Sequence, residues 1–144
     1  MIYWFCGQPA SGKTTLAKAL IKKLNLIKCV HIDGDNLREI LHNFDYSKDG
    51  REKNIQSVLD IARFMDSKSY DVIISVVAPY NIQREALKIS NKMIEIFVHT
   101  SEIRGRENFF VKNFEVPTKD YIDIDTTNID IETCIEKILN NKNK

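Results

Sequence analysis

The chain has little of what would mark a disulfide-stapled, zinc-binding or multidomain protein. Of its 144 residues, three are cysteines, which lie far apart and form no CxxC pair. A sparse, odd set of cysteines favours buried free thiols in a reducing compartment over a disulfide framework or a zinc site. With five glycines and three prolines, the sequence has no linker-like stretch and no internal repeat. The length therefore predicts a single domain with one core.

The chain also has almost no net charge, since 21 Lys and Arg residues and 20 Asp and Glu residues give a formal charge of +1. Broad binders of nucleic acids or membrane surfaces usually carry a large basic excess, so the balance predicts neither partner. No apolar run approaches the roughly 20 residues needed to span a bilayer. The start, Met1–Phe5, lacks the basic region and cleavage site of a signal peptide. We therefore expect a cytoplasmic protein.

Short apolar runs alternate with amphipathic segments along the chain. The predicted strands are Ile2–Cys6, Cys29–Ile32, Val72–Val77, Met93–Val98 and Tyr121–Ile124. The predicted helices are Lys13–Leu24, Asn36–His42, Gly50–Ser67, Gln83–Ile89 and Ile129–Leu139. Continuously apolar strands are typical of parallel sheets, so the alternation predicts an α/β fold with a five-stranded parallel sheet and helices on both faces. We predict one domain over residues 1–140 and a polar tail at 141–144.

A phosphate-binding motif follows the first predicted strand. Residues 7–14, GQPASGKT, satisfy the pattern G-x-x-x-x-G-K-[ST] in full. In such loops the glycines let backbone N–H groups surround phosphate oxygens, the lysine reaches the β and γ phosphates, and the hydroxyl holds Mg²⁺. The motif predicts ATP binding with Thr14 as a Mg²⁺ ligand. The predicted ATP ligands are Gly7, Gln8, Pro9, Ala10, Ser11, Gly12, Lys13, Thr14 and Thr15.

Two carboxylates follow the second predicted strand. Asp33 and Asp35 lie two residues apart at the start of the segment DGDNLR. Beside a bound Mg-nucleotide, one carboxylate can organise the metal while the other accepts the proton of an attacking hydroxyl. We therefore predict Lys13, Asp33 and Asp35 as catalytic residues and Asp35 as a second metal ligand. A helix-capping aspartate with a solvated neighbour is the alternative for this pair.

Polar and aromatic residues lie near the start of the long predicted helix. Tyr46 precedes it, and Arg51 and Asn54 fall in its first turns. An arginine at a helix start is unfavourable against the helix dipole, so a bound anion would explain Arg51. A solvated surface is the alternative for this segment.

With these pieces in order, the chain resembles the adenylyl-sulfate kinase (APS kinase) family of P-loop kinases from about Tyr3 to Leu139. The motifs that carry the resemblance are GQPASGKTT at 7–15, DGDNLR at 33–38, Y-S-x-x-x-R-x-x-N-I at 46–55, APY at 78–80 and VKNF at 111–114. The second and third of these are the most specific, since a phosphate loop alone occurs in any P-loop enzyme. The resemblance implies the three-layer P-loop kinase fold.

The resemblance also implies an activity, namely phosphoryl transfer from MgATP to the 3′-hydroxyl of a nucleotide acceptor. It makes Asp35 the base or Mg²⁺-organising carboxylate and Asp33 its support. Tyr46 and Phe114 match aromatics that sandwich the acceptor base. The implied acceptor ligands are Asp35, Arg38, Tyr46, Arg51, Asn54, Ala78, Pro79, Lys112 and Phe114. Members of the family often dimerise, so a homodimer is a further expectation.

The sequence departs from the family pattern around the acceptor. The usual S-P-Y or S-P-F corner is APY at 78–80, and the usual KNFTG reads KNFEV at 112–116. The lid helix after the fourth strand, with its D-x-K-G-L-Y motif, is missing. Residues 101–112 remain as a truncated lid, and the nearby candidates for its cationic charge are Arg104, Arg106 and Lys112.

A shortened lid leaves the identity of the acceptor open. One candidate is adenylyl sulfate, phosphorylated to PAPS in sulfate assimilation. Another is a nucleotide such as cytidine diphosphoramidate, which relatives of the family are thought to phosphorylate in capsule modification. A non-catalytic ATP-binding module and a small-metabolite kinase of the shikimate or gluconate kind are the further alternatives.

Overall fold

Strands and helices alternate along the chain, as the sequence predicts. The structure, a computed structural model, describes residues 1–142. The strands are β1 (Ile2–Cys6), β2 (Cys29–Asp33), β3 (Asp71–Ser75), β4 (Met93–His99) and β5 (Tyr121–Asp125). The α-helices are α1 (Lys13–Lys23), α2 (Gly34–Leu41), α3 (Lys48–Ser67), α4 (Asn81–Ser90) and α5 (Ile131–Asn141). Within the described residues, the connection from β4 to β5 holds a single 3₁₀ helix, Glu107–Phe109.

The five strands pair in parallel in the order β2-β3-β1-β4-β5, which confirms the predicted sheet. Strand β1 is central and buried along its whole length, because helices cover both faces of the sheet there. Parallel strands end at the same edge of a sheet. The segments that follow β1, β2 and β3 therefore meet, and these segments carry the predicted site.

Two apolar cores, one on each face of the sheet, hold the three layers together. Trp4, Leu59 and Ile74 belong to the core on the side of α3 and α4. The core on the other side includes Phe5, Leu20 and Ile135, contributed by β1, α1 and α5. The three-layer α/β prediction is thus confirmed. No helix within residues 1–142 is both long enough and apolar enough to cross a bilayer.

Some boundaries differ from the sequence prediction. Strand β3 ends at Ser75, two residues before the predicted end at Val77. Its pairing with β1 stops where Phe5 lies opposite Ser75, because β1 then leads into the phosphate loop. Helix α5 begins after Asp130, whose side chain accepts a hydrogen bond from the Thr133 N–H at 2.7 Å. It continues through Asn141, so the first residue of the predicted polar tail is helical, while residues 143–144 lie outside the described part of the chain.

Candidate active site

The phosphate loop joins β1 to α1 through two glycines in backbone conformations that other residues rarely adopt. Gly7 has φ of +147° and Gly12 has φ of +111°. A Cβ atom on Gly7 would lie 2.1 Å from the carbonyl oxygen of Val98, so no other residue fits there. The first turn of α1 holds no acidic side chain. The loop and the helix start therefore form a backbone anion site of the kind that binds phosphates.

Lys13 is held inside this loop. Its side chain is 8% exposed, and its Nζ donates a hydrogen bond to the carbonyl oxygen of Gln8 at 2.8 Å. Burial lowers the pKa of the Lys13 ammonium to about 8, although Asp33 and Asp35 act in the opposite direction. A buried ammonium without a close carboxylate partner is well suited to an anionic ligand.

Asp33, the last residue of β2, and Asp35, in the first turn of α2, differ in their surroundings. The Oδ1 atom of Asp33 accepts hydrogen bonds from Thr14 Oγ1 at 2.9 Å and from Ser75 Oγ at 3.2 Å. Asp33 also caps α2, since its Oδ2 accepts from the Asn36 N–H at 3.5 Å. No residue within 1–142 donates a hydrogen bond to the Asp35 carboxylate, which lines the cavity. Asp33 is thus a restrained carboxylate and Asp35 a free one.

A cavity of about 810 Å³ lies at the carboxyl edge of the sheet. It collects most of the predicted site residues from the segments that follow β1, β2 and β3. The predicted residues that line it are Pro9, Ala10, Gly12, Lys13, Thr14, Thr15, Asp33, Asp35, Arg38, Tyr46, Arg51, Asn54, Ala78 and Pro79. Gly7, Gln8 and Ser11 shape the loop from behind and do not line the cavity.

Asn54, which lines the cavity, carries a buried atom without a partner. Asn54 is 4% exposed, and its Oδ1 has no hydrogen-bond donor within residues 1–142. A buried carbonyl oxygen without a donor is costly, so a bound donor group would satisfy it. Arg38 lines the same cavity: its guanidinium lies 4.1 Å from the centre of the Tyr46 ring, and its Nη1 donates to the Asn43 carbonyl at 2.8 Å.

Two predicted acceptor ligands, Phe114 and Lys112, do not line the cavity. The Phe114 ring stacks on Phe97 of β4, with centroids 5.8 Å apart, and Lys112 is exposed to solvent. The Arg84 guanidinium of α4 lies 5.5 Å from the centre of the same Phe114 ring. Phe109 and Phe110, which also lie between β4 and β5, line the cavity instead.

Arg84 is a structural residue that its sequence position alone does not reveal. It is fully buried, pairs with the buried carboxylate of Glu95 at 2.7 Å, and donates hydrogen bonds to the carbonyls of Ala78 and Glu115. Ala78 has φ of +46°, a strained value for a residue with a side chain. Arg84 therefore holds the corner that follows β3 in place, and a single arginine in an amphipathic helix carries no signal for this role.

Residues 101–112 are fastened to the phosphate loop. The side chain of Gln8 and the backbone of Val111 exchange two hydrogen bonds, each of 2.9 Å. Arg104 donates from Nη1 to the carbonyls of Ala10 and Ser11, at 3.0 and 3.1 Å. Its Nε and Nη2 atoms pair with Glu102, so this arginine is fully engaged by the protein.

Arg106 differs from Arg104 in where its charge lies. It lines the cavity, its guanidinium lies 5.1 Å from the centre of the Phe109 ring, and it has no ion-pair partner within residues 1–142. Its positive charge also contributes to lowering the pKa of Lys13. Arg104 also lines the cavity, but its charge is paired with Glu102, so of the two arginines Arg106 is the one whose charge has no carboxylate partner within residues 1–142.

Comparison with known proteins finds the same family that the motifs resemble. The family model for adenylylsulphate kinase matches residues 1–109. An adenylyl-sulfate kinase from Oceanobacillus iheyensis is 30% identical, covering 96% of this chain and 81% of the relative. A cytidine diphosphoramidate kinase from Campylobacter jejuni is 29% identical, covering 86% of this chain and 77% of the relative.

A solved structure extends the comparison to the fold. The APS kinase of Mycobacterium tuberculosis, in complex with AMPPNP and APS, superimposes with a TM-score of 0.79 at 17% identity. The match covers 99% of this chain and 97% of that one. Together with the family-model match and the conformation of the phosphate loop, these similarities show that the chain belongs to the adenylylsulphate kinase family.

Proposed function

We propose that this chain transfers the γ-phosphoryl group of ATP to the 3′-hydroxyl of adenylyl sulfate. One observation carries the proposal. A single cavity holds a phosphate-binding loop, a free carboxylate at Asp35 and an unsatisfied buried oxygen at Asn54. A kinase needs a phosphate site, a proton acceptor and an acceptor site within reach of each other.

The ATP side of the proposal rests on the loop of residues 7–15. Its backbone would bind the phosphates, and Lys13 would exchange the Gln8 carbonyl for a phosphate oxygen. The Thr14 hydroxyl and the Asp35 carboxylate are oxygen donors of the kind that Mg²⁺ prefers, so the donor set fits this ion. When bound with ATP, Mg²⁺ would neutralise charge on the phosphates.

No cluster of three or more potential ligands drawn from His, Cys, Asp and Glu is present in the described part of the chain. Phosphate oxygens and waters would therefore supply the remaining Mg²⁺ ligands, as is usual for this ion. Asp35, with no hydrogen bond to occupy it, would accept the proton of the attacking hydroxyl. Asp33 would hold Thr14 in place.

The acceptor would lie against Arg51, Asn54 and Tyr46. The unsatisfied Oδ1 of Asn54 requires an N–H or O–H donor, and nucleotides offer both in their base amino groups and sugar hydroxyls. Arg51 would bind the phosphate or sulfate end. Tyr46 offers an aromatic face for the base, since stacking tolerates any base.

Residues 101–112 would act as a short lid over the transferring group. The segment is tied to the phosphate loop at Gln8 and at Ala10 and Ser11, so it would close over ATP without a long helix. Arg106 would supply the cationic charge of the missing lid, whereas Arg104 would hold the loop backbone.

A second candidate acceptor is cytidine diphosphoramidate. The similarity to the Campylobacter jejuni enzyme and the alanine at position 78 of the corner favour it. The same residues would perform the chemistry, because cytosine also offers an amino group to Asn54 and a face to Tyr46.

An ADP-release assay across acceptors tests the proposal. Purified protein with MgATP is given adenylyl sulfate, cytidine diphosphoramidate, gluconate or shikimate, and the phosphorylated position is identified by ³¹P NMR. We expect the highest kcat/KM with adenylyl sulfate and a 3′-phosphorylated product. A higher kcat/KM with cytidine diphosphoramidate selects the second candidate acceptor. A higher kcat/KM with gluconate or shikimate identifies a small-metabolite kinase. ATP binding without acceptor-dependent turnover identifies a non-catalytic module.

The proposal includes the assembly expected from the family. We propose a homodimer, which size-exclusion chromatography with light scattering tests directly. A mass of one chain, 16.7 kDa, contradicts the homodimer, and twice that mass supports it.

A further inference from the structure

A continuous chain of hydrogen bonds runs from β2 through β3 to the start of α1. His31 Nε2 lies 2.7 Å from Ser75 Oγ, Ser75 Oγ lies 3.2 Å from Asp33 Oδ1, and the same Oδ1 lies 2.9 Å from Thr14 Oγ1. Three of these residues are drawn from two adjacent strands and the fourth from the phosphate loop. None of the motifs that carry the family resemblance contains His31 or Ser75.

The register of the sheet brings these side chains together. Asp33 of β2 pairs directly with Ser75 of β3, and His31 lies two residues before Asp33 and therefore on the same face. The neighbouring Ile73 belongs to the core beneath α1, so this face of the sheet is the one that α1 covers. Thr14 lies in the first turn of α1, which covers this face, and its hydrogen bond to Asp33 is the last in the series.

The order of the protons in this chain follows from what each group can do. An ionised Asp33 carboxylate only accepts, so the hydroxyls of Thr14 and Ser75 both direct their single protons to it. The Ser75 oxygen then has only lone pairs left for His31, which must carry its proton on Nε2. Every donor in the chain therefore points toward Asp33, and hydrogen bonds arranged in one direction strengthen each other.

This order has a consequence for Thr14. With its proton committed to Asp33, the Thr14 oxygen turns lone pairs toward the cavity, which is the orientation that a cation requires. Strand β2 is at the edge of the sheet, where neighbouring strands restrain side chains on one side only. Ser75 of that single neighbour, β3, and His31 of β2 itself therefore restrain the Asp33 side chain through the hydrogen bonds described above.

We propose that His31 and Ser75 are positioning residues that hold the Asp33 carboxylate on the Thr14 hydroxyl and thereby set the affinity of the site for MgATP. The inference rests on the proposed function in that it takes ATP with Mg²⁺ as the ligand. Partners that orient metal-binding groups from behind typically contribute about 10- to 100-fold in metal affinity or activity.

The test uses the full-length protein and does not depend on turnover. Ser75→Ala removes the link to Asp33, and His31→Phe keeps an aromatic ring but removes the Nε2 donor. His31→Gln restores an N–H donor on a side chain of similar reach. His42→Asn, at an exposed position outside the chain of hydrogen bonds, is the matched control.

Calorimetry measures the affinity for ATP with and without Mg²⁺ in each variant. We expect Ser75→Ala and His31→Phe each to weaken MgATP binding about tenfold, with little change for ATP alone. The double variant should lose no more than either single one, since both act through one chain. His31→Gln should recover most of the loss. Nitrogen NMR should find the His31 proton on Nε2 in the wild type.

Three results would overturn the inference. They are MgATP affinities within twofold of the wild type, equal losses with and without Mg²⁺, and additive losses in the double variant. The proposed function fails separately, when no acceptor yields ADP, and that outcome leaves the calorimetric comparison intact.

Discussion

The side chain of Gln8 and the backbone of Val111 form a reciprocal pair: Gln8 Nε2 donates to the Val111 carbonyl, Val111 N–H donates to Gln8 Oε1, and both distances are 2.9 Å. An amide side chain presents the same donor and acceptor as a peptide group, so it pairs with Val111 as a neighbouring strand would. The pairing connects the phosphate loop to the end of the proposed short lid.

Removing this pair is expected to loosen the lid. Gln8→Leu keeps the size of the side chain but loses both hydrogen bonds, which contribute on the order of 1 kcal/mol each. We expect faster amide hydrogen exchange over residues 106–112 and a several-fold higher KM for ATP. Gln56→Leu, at an exposed position on α3, is the control, and unchanged exchange in Gln8→Leu would contradict the role of the pair.

Lys13→Met is expected to stabilise the ligand-free protein while abolishing turnover. Burial lowers the pKa of Lys13 to about 8 from 10.5, so a neutral side chain of similar shape avoids the cost of burying the charge. At neutral pH the gain in the free energy of unfolding is at most about 3 kcal/mol. Urea denaturation measures it, and Lys18→Met, which removes an exposed charge of the same helix, is the control.

The lowered pKa of Lys13 also predicts that the difference in stability between the wild type and Lys13→Met depends on pH. Between pH 8 and 10.5 the unfolded chain holds a proton on Lys13 that the folded chain has released. The wild type therefore gains stability relative to Lys13→Met as the pH rises through this window. A difference that stays constant from pH 7 to pH 10 would show that burial does not perturb Lys13.

Substitutions of Arg106 and Arg104 are expected to affect different properties, namely kcat for Arg106 and stability for Arg104. Arg106→Met removes an exposed charge that faces the cavity, so kcat should fall about 100-fold with an unchanged free energy of unfolding. Arg104→Met removes hydrogen bonds to Ala10 and Ser11, so the free energy of unfolding should fall by about 1–3 kcal/mol. Steady-state kinetics and urea denaturation separate the two. Equal losses of kcat in both variants would contradict the assignment, and Lys119→Met serves as the control for charge removal.

Tyr46 and Phe114 are expected to separate acceptor binding from stability. Tyr46 is 57% exposed at the cavity, so Tyr46→Ala should raise the acceptor KM about tenfold and leave stability nearly unchanged, with Tyr46→Phe retaining the stacking face. Phe114 packs on Phe97, so Phe114→Ala should lower the free energy of unfolding by about 1–3 kcal/mol. A rise in KM for Phe114→Ala equal to that for Tyr46→Ala, at unchanged stability, would contradict this separation and support the stacking role that the family resemblance implies for Phe114.

Several parts of the site follow from the sequence because they are local. The phosphate loop requires glycine at positions 7 and 12, where φ takes values that residues with a side chain rarely adopt. The alternation of apolar strands and amphipathic helices is a local periodicity as well, and it determines a parallel sheet. A parallel sheet then places Lys13, Asp33 and Asp35 at one edge, since each lies at or shortly after the carboxyl end of a strand.

Other parts depend on contacts between distant residues that no local pattern encodes. Gln8 and Val111 are 103 positions apart, and nothing in either sequence segment indicates the other. Ser75 reaches Asp33 only through the register between β2 and β3. Phe114 contacts Phe97 of β4 and Arg84 of α4, residues that are distant from it in the sequence. The sequence by itself determined which segments surround the cavity, because local periodicity and topology decide that. The tertiary structure alone decided which side chains meet there, because a side chain's partner is chosen by packing and not by its neighbours in the chain.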